Sequence, residues 1–465
     1  MDAFLRGAKK AFGASAAPRV AVLGGGVSGC SAAHHLAALG CDVSLFEMGR
    51  GPGGRAGTRR SRSLPGLAVN HGAPTFDVRT DEGTAIMERL EAAGHAAEYV
   101  GVRGVLSAER GFSKSAASAV NWAGAGGSGM AGVSEGLLEE ARKAGTPGSL
   151  ACHYGAMVHA LVPTMAAGGG GGGGGGEVAG WSLVGADGST LGATEDGAAP
   201  PPAPFDWLVV SGSGAAHPRW SEAFAGREAP LLAAASALRS EHGFEDEALT
   251  AALACIGAQE AAPCLVAMCA AAAGSETAAH WNAALPFDVA WVTEHPVVQK
   301  VSVQRDSSHP SGGDVSLVVH STADYARSAP KDAYGVTSTA ARLGGAPASA
   351  EREAALTAEL LGALEELLHR HAGRFGLGEL SCAAPYAEPL AWGPHLHRWG
   401  NCEPKGEPLY AGDAVAPRAR VAFCGDYVLQ EQGQKTNGKG KYVARMGSVE
   451  AALLSGATVA QAVAN

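Results

Sequence analysis

One stretch near the start leaves this chain few folds to choose from. Val20, Ala21, Val22 and Leu23 form a short valine-rich apolar run, the pattern of a strand buried on both faces. Gly24, Gly26 and Gly29 follow at G-x-G-x-x-G spacing, and a helical pattern starts there with Val27 and Ser28. Each glycine has a role in that setting. The first permits a tight turn, the second lets backbone approach a pyrophosphate, and the third lets helix pack on strand. The helix N-terminus turns its unpaired N–H groups and positive dipole end toward the diphosphate. A second apolar run, residues 42–46, leads into Glu47, about twenty residues beyond the turn, where a carboxylate accepts from ribose hydroxyls. A glycine motif alone carries little. Strand before, helix after and acid at this distance point to a dinucleotide-binding unit rather than a glycine-rich loop in an unrelated α/β protein.

The next residues bear on which dinucleotide. Arg50, Gly51, Pro52, Gly53, Gly54 and Arg55 follow Glu47 closely. Gly-Gly-Arg soon after the ribose acid resembles the second glycine motif of flavoprotein amine oxidases, which plain nicotinamide dehydrogenases lack. Physically it is a second close backbone approach, with Arg55 adding a fixed positive charge near the pyrophosphate. The alternative is a solvated basic turn continuing into Arg59, Arg60 and Arg62. The resemblance implies FAD.

At 465 residues the chain is long enough for two or three cores, and 46% hydrophobic residues fit a soluble protein. A net charge of −10 argues against nucleic-acid or acidic-membrane binding. The nine cysteines include no C-x-x-C pair, which favours reduced thiols. Residues 1–18 lack the apolar core of a signal peptide. Arg6, Lys9 and Lys10 give them a weak likeness to a transit peptide, against which Asp2 counts. The expectation is a soluble intracellular protein, cytoplasmic or plastid. The longest apolar stretch, 249–273, is interrupted by Gln259, Glu260 and Pro263, so it reads as helix then buried strand and not as a membrane span.

Along the chain, the periodicity predicts helices over 84–93 and 130–143, the latter with Val133, Leu137 and Leu138 on one face. Residues 109–128 read as loop. Residues 156–162 read as a strand, with 181–184 as its hairpin partner. Between them the unbroken glycine run 168–176 reads as a surface insertion, and 193–204 as a linker. Residues 205–214 return to the nucleotide-binding sheet. Residues 222–284 read as mostly helix around a strand near 264–268. Strands follow at 288–293, 297–305 and 315–320, with the longest helix at 349–371 and a loop or strand at 395–399. A strand at 421–426 and a helix at 447–463 close the chain.

By this point the resemblance spans most of the sequence. The glycine motifs, the segment 67–76 with His71, Gly72 and Ala73, Phe287-Asp288, 304–310, His397-Arg398-Trp399 and the terminal segments together resemble the renalase-like branch of the monoamine oxidase/renalase superfamily. That implies an α/β architecture: a Rossmann-type FAD-binding domain assembled from separated segments, with an α+β substrate domain carrying a mixed sheet. The expected division is a leader at 1–18, FAD-binding segments at 19–100, 151–220 and 411–465, a cap or substrate-domain segment at 101–150, and a substrate domain at 221–410. The resemblance also implies roles. Val158 would lie near the FAD adenine, and Gly425-Asp426 would reach the ribityl or pyrophosphate region. The terminal helix, starting at Ser448 and Val449, would aim its positive end at the flavin edge that gains charge on reduction. His71 and Trp399 would stand near the ring, unless the histidine is satisfied in a turn and the tryptophan belongs to the core. Lys300 would match the lysine that holds a water near flavin N5. No catalytic base or metal set is evident, and flavin chemistry can proceed without a protein base.

The expected activity is FAD-dependent hydride transfer from a small-molecule amine or dihydronicotinamide to flavin N5, with reoxidation by dioxygen or another acceptor. The alternatives are a desaturase or isomerase on an isoprenoid or tetrapyrrole, and a non-catalytic FAD-binding assembly or regulatory protein. Two departures from the family pattern concern substrate. Gly400, Asn401 and Cys402 follow Trp399 where the family has an arginine and an aromatic. An insertion, 430–445, carries Lys435, Lys439 and Lys441, either as a solvated loop or as a lid favouring an anionic substrate.

Overall fold

The opening motif sits at the centre of a six-stranded sheet. Its order is Ser149–Tyr154, Asp42–Glu47, Arg19–Leu23, Trp207–Ser211, Val421–Cys424 and Val415–Ala416. The first five are parallel and the last is antiparallel. Val20, Val22, Val209 and Phe423 are fully buried, as continuous apolar strands covered on both faces must be. The computed structural model describes residues 17–116, 119–143, 145–166, 176–192, 203–224, 226–305, 313–330, 332–374, 377–382, 389–430 and 444–465.

Helices Val27–Ala38, Ala131–Ala141 and Val449–Ala464 pack on one face of this sheet. The first and last cross tightly: a Cβ on Gly456 would lie 2.4 Å from the Ser28 carbonyl oxygen, so only glycine permits the contact. On the other face lie the hairpin Ala160–Met165 with Val178–Val184 and the helices Pro230–His242 and Glu247–Ala258.

A second sheet has seven strands in the order Trp392–Lys405, Glu260–Ala271, Val315–Ser321, Val298–Arg305, Val289–Thr293, Arg103–Ser107 and Gly111–Lys114. It is antiparallel except where Arg103–Ser107 runs parallel to Val289–Thr293. The helix Ala350–His369 covers one face with Leu356, Leu360, Leu364 and Leu367, spaced to form a single apolar stripe. Against the other face, the hairpin Thr58–Arg60 with Ala68–Asn70 brings Leu67 and Val69 onto Cys264, Val266 and Met268. That hairpin starts just after Arg55, so the second glycine motif bridges the two sheets.

Several expectations need correction. Residues 109–128 are not loop: Gly111–Lys114 and Val120–Gly124 are strands, with a short 3-10 turn at Gly126–Ser128. The strand expected at 156–162 is Ala160–Met165. Residues 156–159 precede it, and the sheet strand beside Asp42–Glu47 is Ser149–Tyr154, which carries no apolar run to betray it. Between 101 and 150, the strands Arg103–Ser107 and Gly111–Lys114 extend the second sheet, whereas Ala131–Ala141 packs on the first helix. The glycine run apart from Gly176, most of the linker 193–204 and the three lysines of the insertion lie outside the described residues. Among the described residues no helix is long and apolar enough to cross a membrane, and no cluster could hold a metal ion.

Candidate functional site

A cavity of about 1560 Å³ opens between the two sheets, lined by both glycine motifs, Asp426 and the start of the last helix. It exceeds the roughly 300–1,000 Å³ of a pocket for one small ligand, which leaves room for a dinucleotide and a second molecule.

The three spaced glycines have different surroundings. Gly24 has φ +100°, the left-handed region that glycine alone enters freely, and a Cβ there would meet the Ser211 carbonyl oxygen at 2.8 Å. A Cβ on Gly29 would lie 2.0 Å from the Gly24 oxygen and 2.5 Å from Ser211 Oγ, so this glycine holds helix against strand and does not line the cavity. A Cβ on Gly26 would meet nothing within 4 Å. Gly26 is also the N-cap of the first helix, where no side chain caps and no acid occupies the first turn. By contrast, Thr80, Asp246, Ser275, Ser349 and Ser448 cap their helices with side-chain oxygens. The first helix therefore presents uncapped amides at a protein-free space, the arrangement that receives a phosphate.

The second glycine motif docks on the first through backbone. Gly53 N–H donates to Gly25 O at 2.7 Å, and a Cβ on Gly54, whose φ is +54°, would stand 3.2 Å from Gly26 Cα. Glu47 ties the same loop: its carboxylate accepts from Gly25 N at 2.6 Å and from Gly49 N. Burial raises its pKa, and the two amides oppose that shift. Arg55 does not stand free as a charge for a ligand. Its guanidinium forms a bidentate pair with Asp426, both bonds at 2.7 Å, and also donates to Cys402 O at 3.1 Å. The early and late motifs are thereby clamped to each other. Ser448 and Val449 line the cavity at the start of the terminal helix, with Gly425 and Asp426 beside them. Val158 does not line it and packs instead with the hairpin core.

His71, Lys300 and Trp399 do come together. The His71 ring stacks on Trp399 at 5.2 Å, and Lys300 Nζ donates to Gly72 O at 2.9 Å. His397, named from the sequence only as part of the His397-Arg398-Trp399 motif and not as a site residue, stands edge-on to both rings at 4.9 and 4.2 Å. Strand alternation was the available clue, since residues 397 and 399 share a face. His320, on a neighbouring strand and 2% exposed, completes the cluster. Burial pushes the His71 imidazolium down to about 4 and lowers His397 and His320 as well, so all three rings are neutral near pH 7. Burial lowers Lys300 too, while nearby Cys402, Cys264 and Glu403 support its charge. Contact with the Cys264 thiol, then the charges of Lys300 and Arg55, hold the Cys402 thiol below its usual range. His71 Nδ1, His397 Nε2 and Trp399 Nε1 have no protein partner, which leaves buried polar atoms for a bound molecule or water to satisfy.

Residues 22–91 match the family described as NAD(P)-binding Rossmann-like domain. Solved structures with a similar fold include cyclohexylamine oxidase from Brevibacterium oxydans, at TM-score 0.53 and 11% identity, covering 96% of this chain and 99% of that one. An oxidoreductase from Methanosarcina mazei aligns at TM-score 0.52 and 12% identity, over 94% and 99% of the two chains. A double mutant of putrescine oxidase aligns at TM-score 0.50 and 12% identity, over 96% and 98%. The chain is a mixed α/β protein with a Rossmann-like nucleotide-binding domain, and along nearly its whole length it shares the fold of these oxidoreductases.

Proposed function

We propose that this protein is an FAD-dependent oxidoreductase of renalase/amine-oxidase type, taking hydride from an amine or dihydronicotinamide. The observation that carries the reading is the uncapped start of the first helix, facing open space across Gly26 and braced by a second glycine motif. The Val27 and Ser28 amides would hold the diphosphate, and Glu47 the adenosine ribose. The Val449 amide at the start of the terminal helix would face the flavin edge where negative charge develops, while the Ser448 amide donates to Arg445 O. When bound, FAD supplies a two-electron acceptor for a substrate hydride, with dioxygen or another acceptor taking the electrons onward. The chain's own part is to bind and orient. His71, His397 and Trp399 make a neutral aromatic wall, and Lys300, anchored on Gly72 O, places an amine donor beside it. Amine oxidases among the structures of similar fold support the reading.

The test is to denature the purified protein and chromatograph what it releases. FAD is expected. Recovery of a nicotinamide dinucleotide, or of protein that takes up no FAD, would overturn the reading. Bleaching of the bound flavin by an added amine or dihydronicotinamide without oxygen would separate an oxidase from a non-catalytic flavin carrier.

Glu47→Ala is expected to weaken FAD binding by about ten- to a hundredfold, because a charge-assisted hydrogen-bonded carboxylate contributes roughly 1.5–3 kcal/mol. The Gly25 amide loses its acceptor in the same variant, so the loop loosens as well. A dissociation constant unchanged on fluorescence titration would remove Glu47 from the site.

A further inference from the structure

The chain carries a net charge of −10, yet one rim of its cavity is cationic. Arg50 comes from the second glycine motif, Arg59 from the hairpin strand Thr58–Arg60, and Arg62 from the residues after it; all three line the cavity. Arg342, on the helix Thr339–Gly344, is close enough to Arg50 to repel its charge. One stretch, residues 50–62, thus brings three guanidinium groups to the cavity, and a helix far along the chain adds a fourth nearby.

Neighbouring acids do not neutralise the group. Among the described residues none of these four arginines forms an ion pair with a carboxylate. Of the acids lining the cavity, Asp426 pairs with Arg55, Glu135 with Arg60 and Glu47 with backbone amides, while Glu222 lies by Arg219, Glu403 by Lys300, and Glu260 also lines it. Glu353 offsets part of the Arg59 charge but accepts from the Val336 and Leu396 amides. Arg59 is also held in place, lying over the Trp392 ring at 5.6 Å and donating to Thr337 Oγ1. Burial, then repulsion from Arg342 and Arg62, lowers the Arg50 pKa, so the cluster is electrostatically unfavourable while it stands alone. A bound anion relieves that repulsion, and guanidinium forks match phosphate and carboxylate oxygens two at a time.

We propose that Arg50, Arg59 and Arg62, backed by Arg342, bind an anionic group, phosphate or carboxylate, on the substrate that enters this cavity. The inference deepens the oxidoreductase reading by naming its substrate class, and it rests on residues other than the insertion lysines. A simple protonated amine would be repelled at this rim. An amine or reduced dinucleotide bearing phosphate or carboxylate would be drawn in, faster at low salt.

The experiment is calorimetric titration of FAD-loaded protein with inorganic pyrophosphate and, separately, with succinate, at low and high salt. The wild type is compared with the triple variant Arg50→Ala, Arg62→Ala, Arg342→Ala. Arg59 is left in place because it packs on Trp392. At least one anion is expected to bind the wild type, about tenfold or more tighter than it binds the variant, a difference of about 1.4 kcal/mol or more. Binding should also weaken with salt. Whichever anion shows the difference identifies the phosphate or carboxylate preference. The charge-conserving variant with lysine at the three positions should recover part of the affinity. Equal affinity in wild type and alanine variant, or no binding of either anion, overturns the proposal. Loss of bound flavin from the alanine variant also overturns it, since the arginines would then serve the cofactor. Failure to load any FAD would instead refute the flavin reading, and the same titrations on the flavin-free protein would still decide the anion question.

Discussion

Arg55→Ala should destabilise the protein by about 3–5 kcal/mol, the usual cost of removing one partner from a buried ion pair. The Asp426 side chain is only 7% exposed and both its oxygens accept from Arg55, so the variant strands a carboxylate away from water. Arg55 itself is 34% exposed. Asp426→Ala should therefore cost less, because the guanidinium left behind can be hydrated. The asymmetry is the discriminating result, read by urea unfolding of the flavin-free protein. Equal costs, or a cost under about 1 kcal/mol for Arg55→Ala, would mean that the pair behaves like a surface salt bridge.

Two alanine substitutions three residues apart should behave in opposite ways. Gly29→Ala puts a methyl carbon 2.0 Å from the Gly24 oxygen and 2.5 Å from Ser211 Oγ, so the glycine loop or the first helix must move. Overpacking of this kind costs about 1–3 kcal/mol, and here backbone is the obstacle, so the upper part of that range is expected together with loss of the cofactor. Gly26→Ala meets no protein atom within 4 Å, and at φ −68° it adopts an ordinary backbone. Its melting temperature should stay near that of wild type while cofactor affinity falls steeply, since the new methyl occupies the space left for the diphosphate. Thermal unfolding of both flavin-free variants, followed by FAD titration, checks the pair. If Gly26→Ala binds FAD as wild type does, the ligand does not approach the loop there.

The opening unit was legible because its physical demands are local. A buried strand, a turn of spaced glycines and a helix occupy adjacent residues, and each constrains its own sequence. Strands at Val289–Thr293, Val298–Arg305 and Val315–Ser321 were legible for the same reason, through apolar runs or alternation. Ser149–Tyr154 was not, because an edge strand need bury little: its six residues are half-buried or exposed. Gly111–Lys114 escaped notice for a similar reason, since it lies at the edge of its sheet and shows only one buried residue, whereas Val120–Gly124 is central in a three-stranded sheet but buries only Asn121 and Trp122. At the site, the glycines, Glu47, His71, Lys300 and Trp399 could be named, but not what holds them. The Arg55–Asp426 clamp joins residues 371 apart, and no periodicity encodes a partner at that separation. His320 and the approach of Arg342 to the basic stretch at Arg50 likewise depend on which strands and loops the topology makes neighbours.

The crossing at Gly456 also orders events on the ribosome. Ser31 of the first helix donates its hydroxyl to Leu453 O, 422 residues downstream. Elongation at about 5–20 residues per second takes roughly 20–80 s to cover such a span. For most of that interval the groove of the first helix that receives Gly456 has no partner, and the strand Val421–Cys424 that extends its sheet has yet to be made. On the proposed reading, a nucleotide site that draws on both ends of the chain is completed only when the last helix docks.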